Sequence, residues 1–274
     1  MNGLLYAIIF IIGSLFGSFF TLAVHRIPLG QNITTKHSYC PSCQKKLKFF
    51  DLIPILSYIF LGGKCRYCKK KIRPRYLILE VLSGLTFLLL AFAFHINIYK
   101  LEELRTVTFV FTLFYFVSLF MIAGIDKENH KIQKSILLYG LIITIIYILY
   151  LYVLQGVSIY RYVIYLGLMT VLLLLDTQLL RKKATFNYTV QILTLSMYMA
   201  MCTDENIFFF TTMITIVSIL FKTILQKLSN RRTKNVVGED MQETSEYHPQ
   251  VPIGFLLCIC NIIVVIGANF VMNY

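Results

Sequence analysis

Four cysteines in two close pairs are the residues of this sequence with the clearest chemistry. The pairs are Cys40-Pro-Ser-Cys43 and Cys65-Arg-Tyr-Cys68, with 21 residues between them. A CxxC pair lets two thiolates converge on one ion from a tight turn, and two such pairs close a tetrahedral site. The spacing predicts a structural zinc site with Cys40, Cys43, Cys65 and Cys68 as ligands. Two disulfides or four unrelated thiols are the alternatives.

Acidic side chains at the ends of apolar stretches could supply a second kind of chemistry. Asp126 follows an apolar run that ends at Ile125, and Asp176 stands near the end of another. Carboxylates are costly to keep in lipid and therefore mark candidate functional sites. Two carboxylates that share one proton can act as the base and the acid of an aspartic protease. The alternatives are a helix end solvated by head groups for Asp126 and, for Asp176, an ion pair with a basic residue of 181–183.

Transmembrane helices must position these groups, because the chain is too apolar for a soluble domain of its length. Hydrophobic residues make up 57% of the 274 residues, and the mean hydropathy is +0.71. About 20 apolar residues cross a bilayer core about 30 Å thick. Eight runs meet or approach that length: Leu4–Val24, Leu77–Ile96, Thr106–Ile125, Ser135–Leu154, Tyr160–Leu180, Phe186–Met201, Ile207–Leu225 and Pro252–Val271. The prediction is an all-α integral membrane protein of about eight transmembrane helices with a small cytoplasmic four-cysteine zinc-knuckle loop.

The basic charge is distributed as in a membrane protein, which argues against nucleic acid as a partner. The formal net charge is +13. With the N-terminus outside, loops 25–76, 126–134, 181–185 and 222–251 contain 23 of the 26 lysines and arginines. Cytoplasmic loops carry such an excess. We therefore predict a multi-pass protein of the cytoplasmic (inner) membrane, with both termini outside, the cysteine loop in the cytoplasm and basic side chains on anionic lipid head groups.

The predicted organisation has five parts. They are a first transmembrane helix (1–24), the cytoplasmic four-cysteine loop (25–76), a helical membrane bundle with the candidate peptidase site (77–221), a cytoplasmic linker (222–251) and a last transmembrane helix (252–274). The first run has neither a basic leading segment nor a small-residue cleavage pattern after it, so we expect a retained span and not a signal peptide.

The ordered motifs of the first third resemble those of the type IV prepilin peptidases, membrane aspartic proteases of pilus, type II secretion and competence systems. The motifs are Gly17-Ser18-Phe19, His25-Arg26-Ile27-Pro28, the two CxxC pairs, Asp51-Leu52-Ile53-Pro54-Ile55-Leu56-Ser57-Tyr58, Arg73-Pro74-Arg75-Tyr76 with Glu80 and, near the end, Val251-Pro252-Ile253-Gly254-Phe255. The resemblance implies an enzyme that cuts the basic leader from pilin-like proteins at the cytoplasmic membrane face. It also implies that region 25–76 takes part in methylating the new N-terminus with S-adenosylmethionine, although the sequence has no glycine-rich nucleotide loop.

The same resemblance assigns roles to residues of the membrane bundle. Asp126 matches the first catalytic aspartate. Thr189 stands where the second is expected, and a hydroxyl that does not ionise cannot share a proton as a carboxylate does. Asp176 is the candidate substitute, because a hairpin of the fifth and sixth spans that turns near 182–183 would bring it to the depth of Thr189.

Two functions follow from the sequence, and whether the protein is an enzyme is left open between them. The first is a prepilin leader peptidase with pilin-like substrates, which would use Asp126 and an unconventional second acid. The alternative is a catalytically degenerate relative that binds or escorts pilin-like proteins without cutting them, which Thr189 favours. Membrane lipids are expected contacts in both cases, and the sequence makes no prediction of oligomeric state.

Overall fold

The computed structural model describes residues 2–28, 30, 38–40, 42–97, 99, 102–178, 184–236 and 251–272. Those residues form nine α-helices and a 3-10 helix, Phe49–Leu52, and the only strand-like pairs among them are two isolated bridges. The helices are α1 (Asn2–Arg26), α2 (Leu56–Phe60), α3 (Arg75–Ala93), α4 (Glu103–Asn129), α5 (Lys134–Gln155), α6 (Tyr160–Gln178), α7 (Ala184–Cys202), α8 (Glu205–Val236) and α9 (Ile253–Met272).

All of the long helices coincide with the apolar runs of the sequence. In the described part of the chain, α1, α3, α4, α5, α8 and α9 are each long and apolar enough to cross a membrane. Shorter apolar stretches occur in α6 (Tyr160–Leu175) and α7 (Tyr188–Cys202). The predicted all-α, multi-pass membrane fold is therefore confirmed.

Helix α8 is longer than the apolar run that predicts it. It continues to Val236, although the sequence becomes charged at Lys222 and predicts a linker over 222–251. The residues from 222 to 236 include leucine, glutamine, lysine and arginine, which are good helix formers, so the helical backbone extends beyond the apolar stretch. The rest of the predicted linker, 237–250, lies outside the described residues.

The first of two compact units comprises residues 1–124 and 266–274. Within it, α1 packs on α3 through glycines at a four-residue spacing, as in GxxxG helix pairs. A Cβ atom at Gly13 would lie 2.9 Å from Cα of Gly84, and one at Gly17 would lie 2.8 Å from Cα of Glu80. Only small residues allow this approach, which brings the backbone of α1 against the turn of α3 that carries Glu80.

The second unit comprises residues 125–265. Helices α6 and α7 pack on each other along their lengths, and α7 also contacts α5 and α8. Arg161 of α6 donates hydrogen bonds from one guanidinium nitrogen to the carbonyl oxygens of Ala200 (3.0 Å) and Thr203 (2.6 Å). Ala200 lies in the last turn of α7 and Thr203 directly follows its end, where backbone acceptors lack helical partners. Arg161 therefore completes the end of α7.

Candidate functional site

The four cysteines of the loop form a single cluster of free thiols. Their sulfur atoms all lie within 4.8 Å of one another, and the Sγ atoms of Cys40 and Cys68 are 3.8 Å apart. Four thiolates about 2.3 Å from one tetrahedral ion stand roughly 3.8 Å from each other, whereas bonded sulfurs are about 2.05 Å apart. The cluster can therefore hold a metal ion, and its donor set and spacing fit zinc.

The two cysteine turns have the same backbone structure, repeated at an interval of 25 residues. The N–H of Cys40 donates to the carbonyl of Lys45 (3.0 Å), and the N–H of Cys65 donates to that of Lys70 (2.9 Å). The fourth residue after each of these two cysteines has a positive φ, 58° and 59°. The backbone hydrogen bonds and the positive φ are thus repeated, so the two halves are built alike. In the sequence, each CxxC pair is followed two residues later by a lysine, Lys45 or Lys70. This shared pattern is the signal of the repeat, and the sequence analysis did not use it.

Backbone hydrogen bonds prepare one of these thiols for a metal. Burial alone would raise the pKa of Cys40, but hydrogen bonds from the backbone N–H groups of Cys43 and Ser42 outweigh it and lower the pKa to about 6. A thiolate, not a thiol, is the form that binds a metal ion. The lowered pKa therefore favours the thiolate form of Cys40.

A buried ion pair ties the segment between the cysteine pairs to the second turn. Arg66 donates to Oδ1 of Asp51 from Nε (2.8 Å) and from a terminal nitrogen (2.6 Å), and the Lys48 N–H donates to Oδ2 (3.2 Å). The Asp51 side chain is 1% exposed, and that of Arg66 is 44% exposed. The Arg66 guanidinium holds the pKa of Asp51 below its ordinary value, so this carboxylate stays ionised. Its role is structural, and sequence reasoning did not assign it.

Glu80 of α3 holds the same segment from the other side. Its Oε2 atom accepts a hydrogen bond of 2.8 Å from the N–H of Ile55. Ile55 has a φ of 63°, a conformation that is strained for a β-branched residue. The carboxylate therefore fixes an unfavourable turn at the start of α2 and links the loop to α3.

Asp126, the first predicted catalytic residue, is fully buried near the end of α4. Its Oδ2 atom accepts hydrogen bonds from the Tyr188 hydroxyl (3.2 Å) and the Phe255 N–H (2.8 Å). The same hydroxyl accepts one from the N–H of Ile253 (3.0 Å). Because the first N–H groups of a helix have no partner within it, Asp126 and Tyr188 together cap the N-terminus of α9. The Oδ1 atom of Asp126 has no partner among the described residues.

Thr189, the predicted position of the second catalytic aspartate, differs in exposure and in contacts from its neighbour Tyr188. Thr189 is exposed on α7, whereas Tyr188, one residue earlier, contacts Asp126. The hydrogen bonds described for the Asp126 carboxylate come from a phenol and a backbone N–H, not from a second carboxyl group. Asp176 belongs to α6, but its side chain lies outside the described residues. Among the described contacts, Asp126 is thus joined with neither of the other two predicted catalytic residues.

Comparison with known proteins identifies the first third of the chain. Residues 11–94 match the bacterial peptidase A24 N-terminal domain. Over this segment the chain is similar to prepilin leader peptidases. The similar prepilin leader peptidase/N-methyltransferase of Klebsiella pneumoniae is 39% identical over 87 residues, 30% of this chain and 38% of the relative. That of Vibrio cholerae is 36% identical over 133 residues, 45% of this chain and 49% of the relative.

The relationship is shown for only part of each relative. In the prepilin leader peptidase/N-methyltransferase of Bacillus subtilis, the match is 38% identical over 104 residues and covers 41% of the relative. The chain therefore spans less than half the length of these curated relatives. No solved structure matches the chain. The peptidase A24 N-terminal domain includes the cysteine cluster, Asp51 and Glu80, and it ends before Asp126 and Tyr188.

Proposed function

We propose that this prepilin-peptidase relative binds the N-terminal segments of pilin-like proteins at the cytoplasmic membrane face and does not cut them. The single observation that carries this proposal is the bonding of Asp126, whose Oδ2 atom is occupied by a phenol and a backbone N–H. Aspartic proteolysis requires a second carboxyl group that shares a proton with the first. A phenol with an ordinary pKa near 10 cannot replace that group at neutral pH.

The proposed substrate class comes from the relatives. Proteins named prepilin leader peptidase/N-methyltransferase are similar to part of this chain, and the peptidase A24 N-terminal domain matches the segment that carries the cysteine cluster and its two carboxylate contacts. That segment is held by the hydrogen bonds of Asp51 with Arg66 and of Glu80 with the N–H of Ile55. It is therefore suited to stay folded and to receive a substrate whether or not Asp126 acts as a catalyst.

The metal in this proposal is zinc, held by Cys40, Cys43, Cys65 and Cys68. Four thiolates leave no open coordination position, so the ion would stabilise the loop without taking part in a reaction. S-adenosylmethionine is supported only by the N-methyltransferase names of the relatives, since the sequence offers no glycine-rich nucleotide loop. We assign no residue to that cofactor.

The proposed topology places the cysteine loop in the cytoplasm and both termini outside, as the distribution of lysine and arginine favours. The organisation has the cysteine loop between α1 and α3, followed by a membrane bundle that contains Asp126. The linker before the last span begins after Val236, where α8 ends.

Leader cleavage is the second candidate function, and one observation favours it. The Oδ1 atom of Asp126 is buried without a partner among the described residues, and a buried polar atom of this kind marks a candidate catalytic group or a water site. Asp176 on α6 is the candidate second acid, because α6 and α7 pack together and α7 carries Tyr188.

Co-expression with a pilin-like protein, followed by mass measurement of the N-terminus of that protein, tests the proposal. We expect a full-length pilin-like protein that co-purifies with the chain. A shortened product that disappears in Asp126→Asn and in Asp176→Asn would establish the peptidase and overturn binding without cleavage. A mass increase of one methyl group would instead show methyl transfer. Asp204→Asn changes an exposed carboxylate of the same unit and is the matched control.

Failure to co-purify would overturn the proposed binding only if the chain is folded. Stoichiometric zinc in the purified protein provides that check, because the cysteine cluster forms only when both halves of the loop are in place.

A further inference from the structure

The segment between the two cysteine pairs exposes most of its large apolar side chains. We call residues 49–60 the apolar segment; it contains the 3-10 helix and α2. Phe49, Phe50 and Phe60 are 77%, 71% and 83% exposed, and Ile59 is 61% exposed. Rings left so open in a polar loop form the kind of apolar patch that marks an interaction surface.

The two carboxylate contacts explain why these side chains point away from the loop. Asp51 is drawn inward by Arg66, and the N–H of Ile55 is drawn toward Glu80. These two interior positions of the apolar segment are therefore bound to the loop and to α3, while the exposed rings of Phe49, Phe50 and Phe60 lie outside the stretch between them. Burial of these rings must come from outside the loop.

The Glu80 contact also sets the level of the apolar segment along α3. Glu80 is five residues beyond Arg75, where α3 begins, and a helix rises 1.5 Å per residue. The backbone of Ile55 is therefore level with a point about 7.5 Å into α3 from its basic end. Helices that lie in a membrane interface bury their apolar face about 5–10 Å into the boundary of head groups and acyl chains. The distance of the Glu80 contact from the basic end of α3 is thus comparable to that depth.

The charge around the apolar segment complements an anionic lipid surface. Residues 38–75 contain ten lysines and arginines and a single acidic residue, Asp51, which is buried and paired. The adjacent turns of α3 expose Ile78, Leu79 and Leu82, so the apolar surface continues from the loop along the membrane-spanning helix. A basic surface beside exposed rings is typical of interfacial membrane anchors.

We propose that the apolar segment is a membrane-interface anchor, with the rings of Phe49, Phe50 and Phe60 among acyl chains next to α3 and the basic cysteine turns on anionic phospholipid head groups. A pilin-like segment is a weaker occupant, because its leader is expected to be basic and would be repelled by the same lysines. This anchor goes beyond the proposed function and does not depend on it. It would hold the cysteine cluster at the level at which a membrane-embedded substrate leaves the bilayer.

The absence of tryptophan from the chain makes a direct test practicable. Phe50→Trp and Phe60→Trp each introduce a single indole at an exposed position. The full-length variants are reconstituted in vesicles of phosphatidylcholine with phosphatidylglycerol, using phosphatidylcholine brominated near the head of the acyl chain as the quencher. Leu89→Trp on the exposed side of α3 is the lipid-facing reference, and Tyr67→Trp in the second cysteine turn is the control within the loop.

We expect brominated lipid to quench Phe50→Trp and Phe60→Trp nearly as strongly as Leu89→Trp, and several-fold more than Tyr67→Trp. The quenching should fall when phosphatidylglycerol is omitted; quenching that does not depend on it would overturn the role of the basic turns. Indoles that acrylamide quenches from water, and brominated lipid does not, would overturn the anchor. Protection from acrylamide only when a pilin-like protein is present would overturn it in favour of a substrate-binding surface. Zinc content checks that each variant is folded.

Discussion

Two buried carboxylates, one in each unit of this protein, differ in the groups that donate hydrogen bonds to them. Asp51 in the cysteine loop is almost completely buried and meets a guanidinium group through two hydrogen bonds. Asp126 in the second unit is equally buried, but its described hydrogen bonds come from a phenol and a backbone N–H, and one of its oxygens has no partner among the described residues. The first group is satisfied, and the second is only half satisfied.

The difference indicates where each unit can support chemistry. A carboxylate compensated by arginine is held in one charge state, so it stabilises the loop and cannot exchange a proton at neutral pH. A buried carboxylate with a free oxygen keeps a position for a proton or a substrate. The cysteine loop is thus a closed structural unit, whereas the Asp126 site keeps a buried oxygen that has no partner among the described residues. Four changes to the chain would break or sharpen this comparison.

Cys40→Ser should produce the largest effect, because it removes one of four thiolates from the cluster that organises the loop. Structural zinc contributes about 10–16 kcal/mol of apparent binding free energy in small metal domains at neutral pH. We expect loss of stoichiometric zinc and of protease resistance in residues 38–75, measured by elemental analysis and limited proteolysis. Cys202→Ala, which removes a thiol outside the cluster, should keep its zinc. Full zinc content in Cys40→Ser would show that the cluster is not the metal site.

Gly17→Leu should have the next largest effect and tests whether the closed unit depends on the packing of α1 on α3. A Cβ atom at Gly17 would lie 2.8 Å from Cα of Glu80 and 2.9 Å from the Leu79 carbonyl oxygen, both backbone atoms. Overpacking of this kind costs about 1–3 kcal/mol or more. Because Glu80 holds Ile55, we expect a lower melting temperature together with faster proteolysis of the apolar segment. Gly3→Leu, at a position where an added Cβ atom meets nothing within 4 Å, should leave both measurements unchanged.

Residue patterns predicted the four-cysteine cluster and the long helices, because both depend on interactions that are local in sequence. Each CxxC pair forms its own turn, and each membrane span needs only a run of apolar residues. The four sulfur atoms form one cluster once the loop brings the turns of Cys40 and Cys65 together. The identification of these elements did not need knowledge of tertiary packing.

The partner of Asp126 could not be predicted in this way. Tyr188 and Phe255 are 62 and 129 residues away in sequence, and adjacent helix positions differ by about 100° in direction. Thr189 is therefore exposed, whereas Tyr188, one position earlier, contacts the buried Asp126. The capping of α9 by a carboxylate and a phenol leaves no periodic pattern, so sequence reasoning reached Asp126 and missed the groups that bind it.

Tyr188→Phe sharpens the comparison at the second carboxylate. The variant removes the hydroxyl that donates to Asp126 and accepts from the Ile253 N–H. An unsatisfied buried polar group costs about 1–3 kcal/mol. We expect a lower melting temperature and faster amide hydrogen exchange in the first turn of α9. Tyr139→Phe on α5 is the matched control, and equal exchange in the two variants would contradict the capping role of Tyr188.

Asp51→Asn should have the smallest effect, although Asp51 is as buried as Asp126. The amide can still accept a hydrogen bond, and Arg66 is exposed enough to be solvated when its partner is neutral, so we expect a loss of about 1 kcal/mol, well below that of a fully buried pair. Since the pKa of Asp51 is lowered in the folded protein, the pair contributes fully above about pH 4, and its contribution is lost as the pH falls through the lowered pKa. Unfolding of the wild type and the variant at pH 7 and at lower pH measures this difference. A loss at pH 7 as large as that of Cys40→Ser would mean that the ion pair, and not the metal cluster, organises the loop.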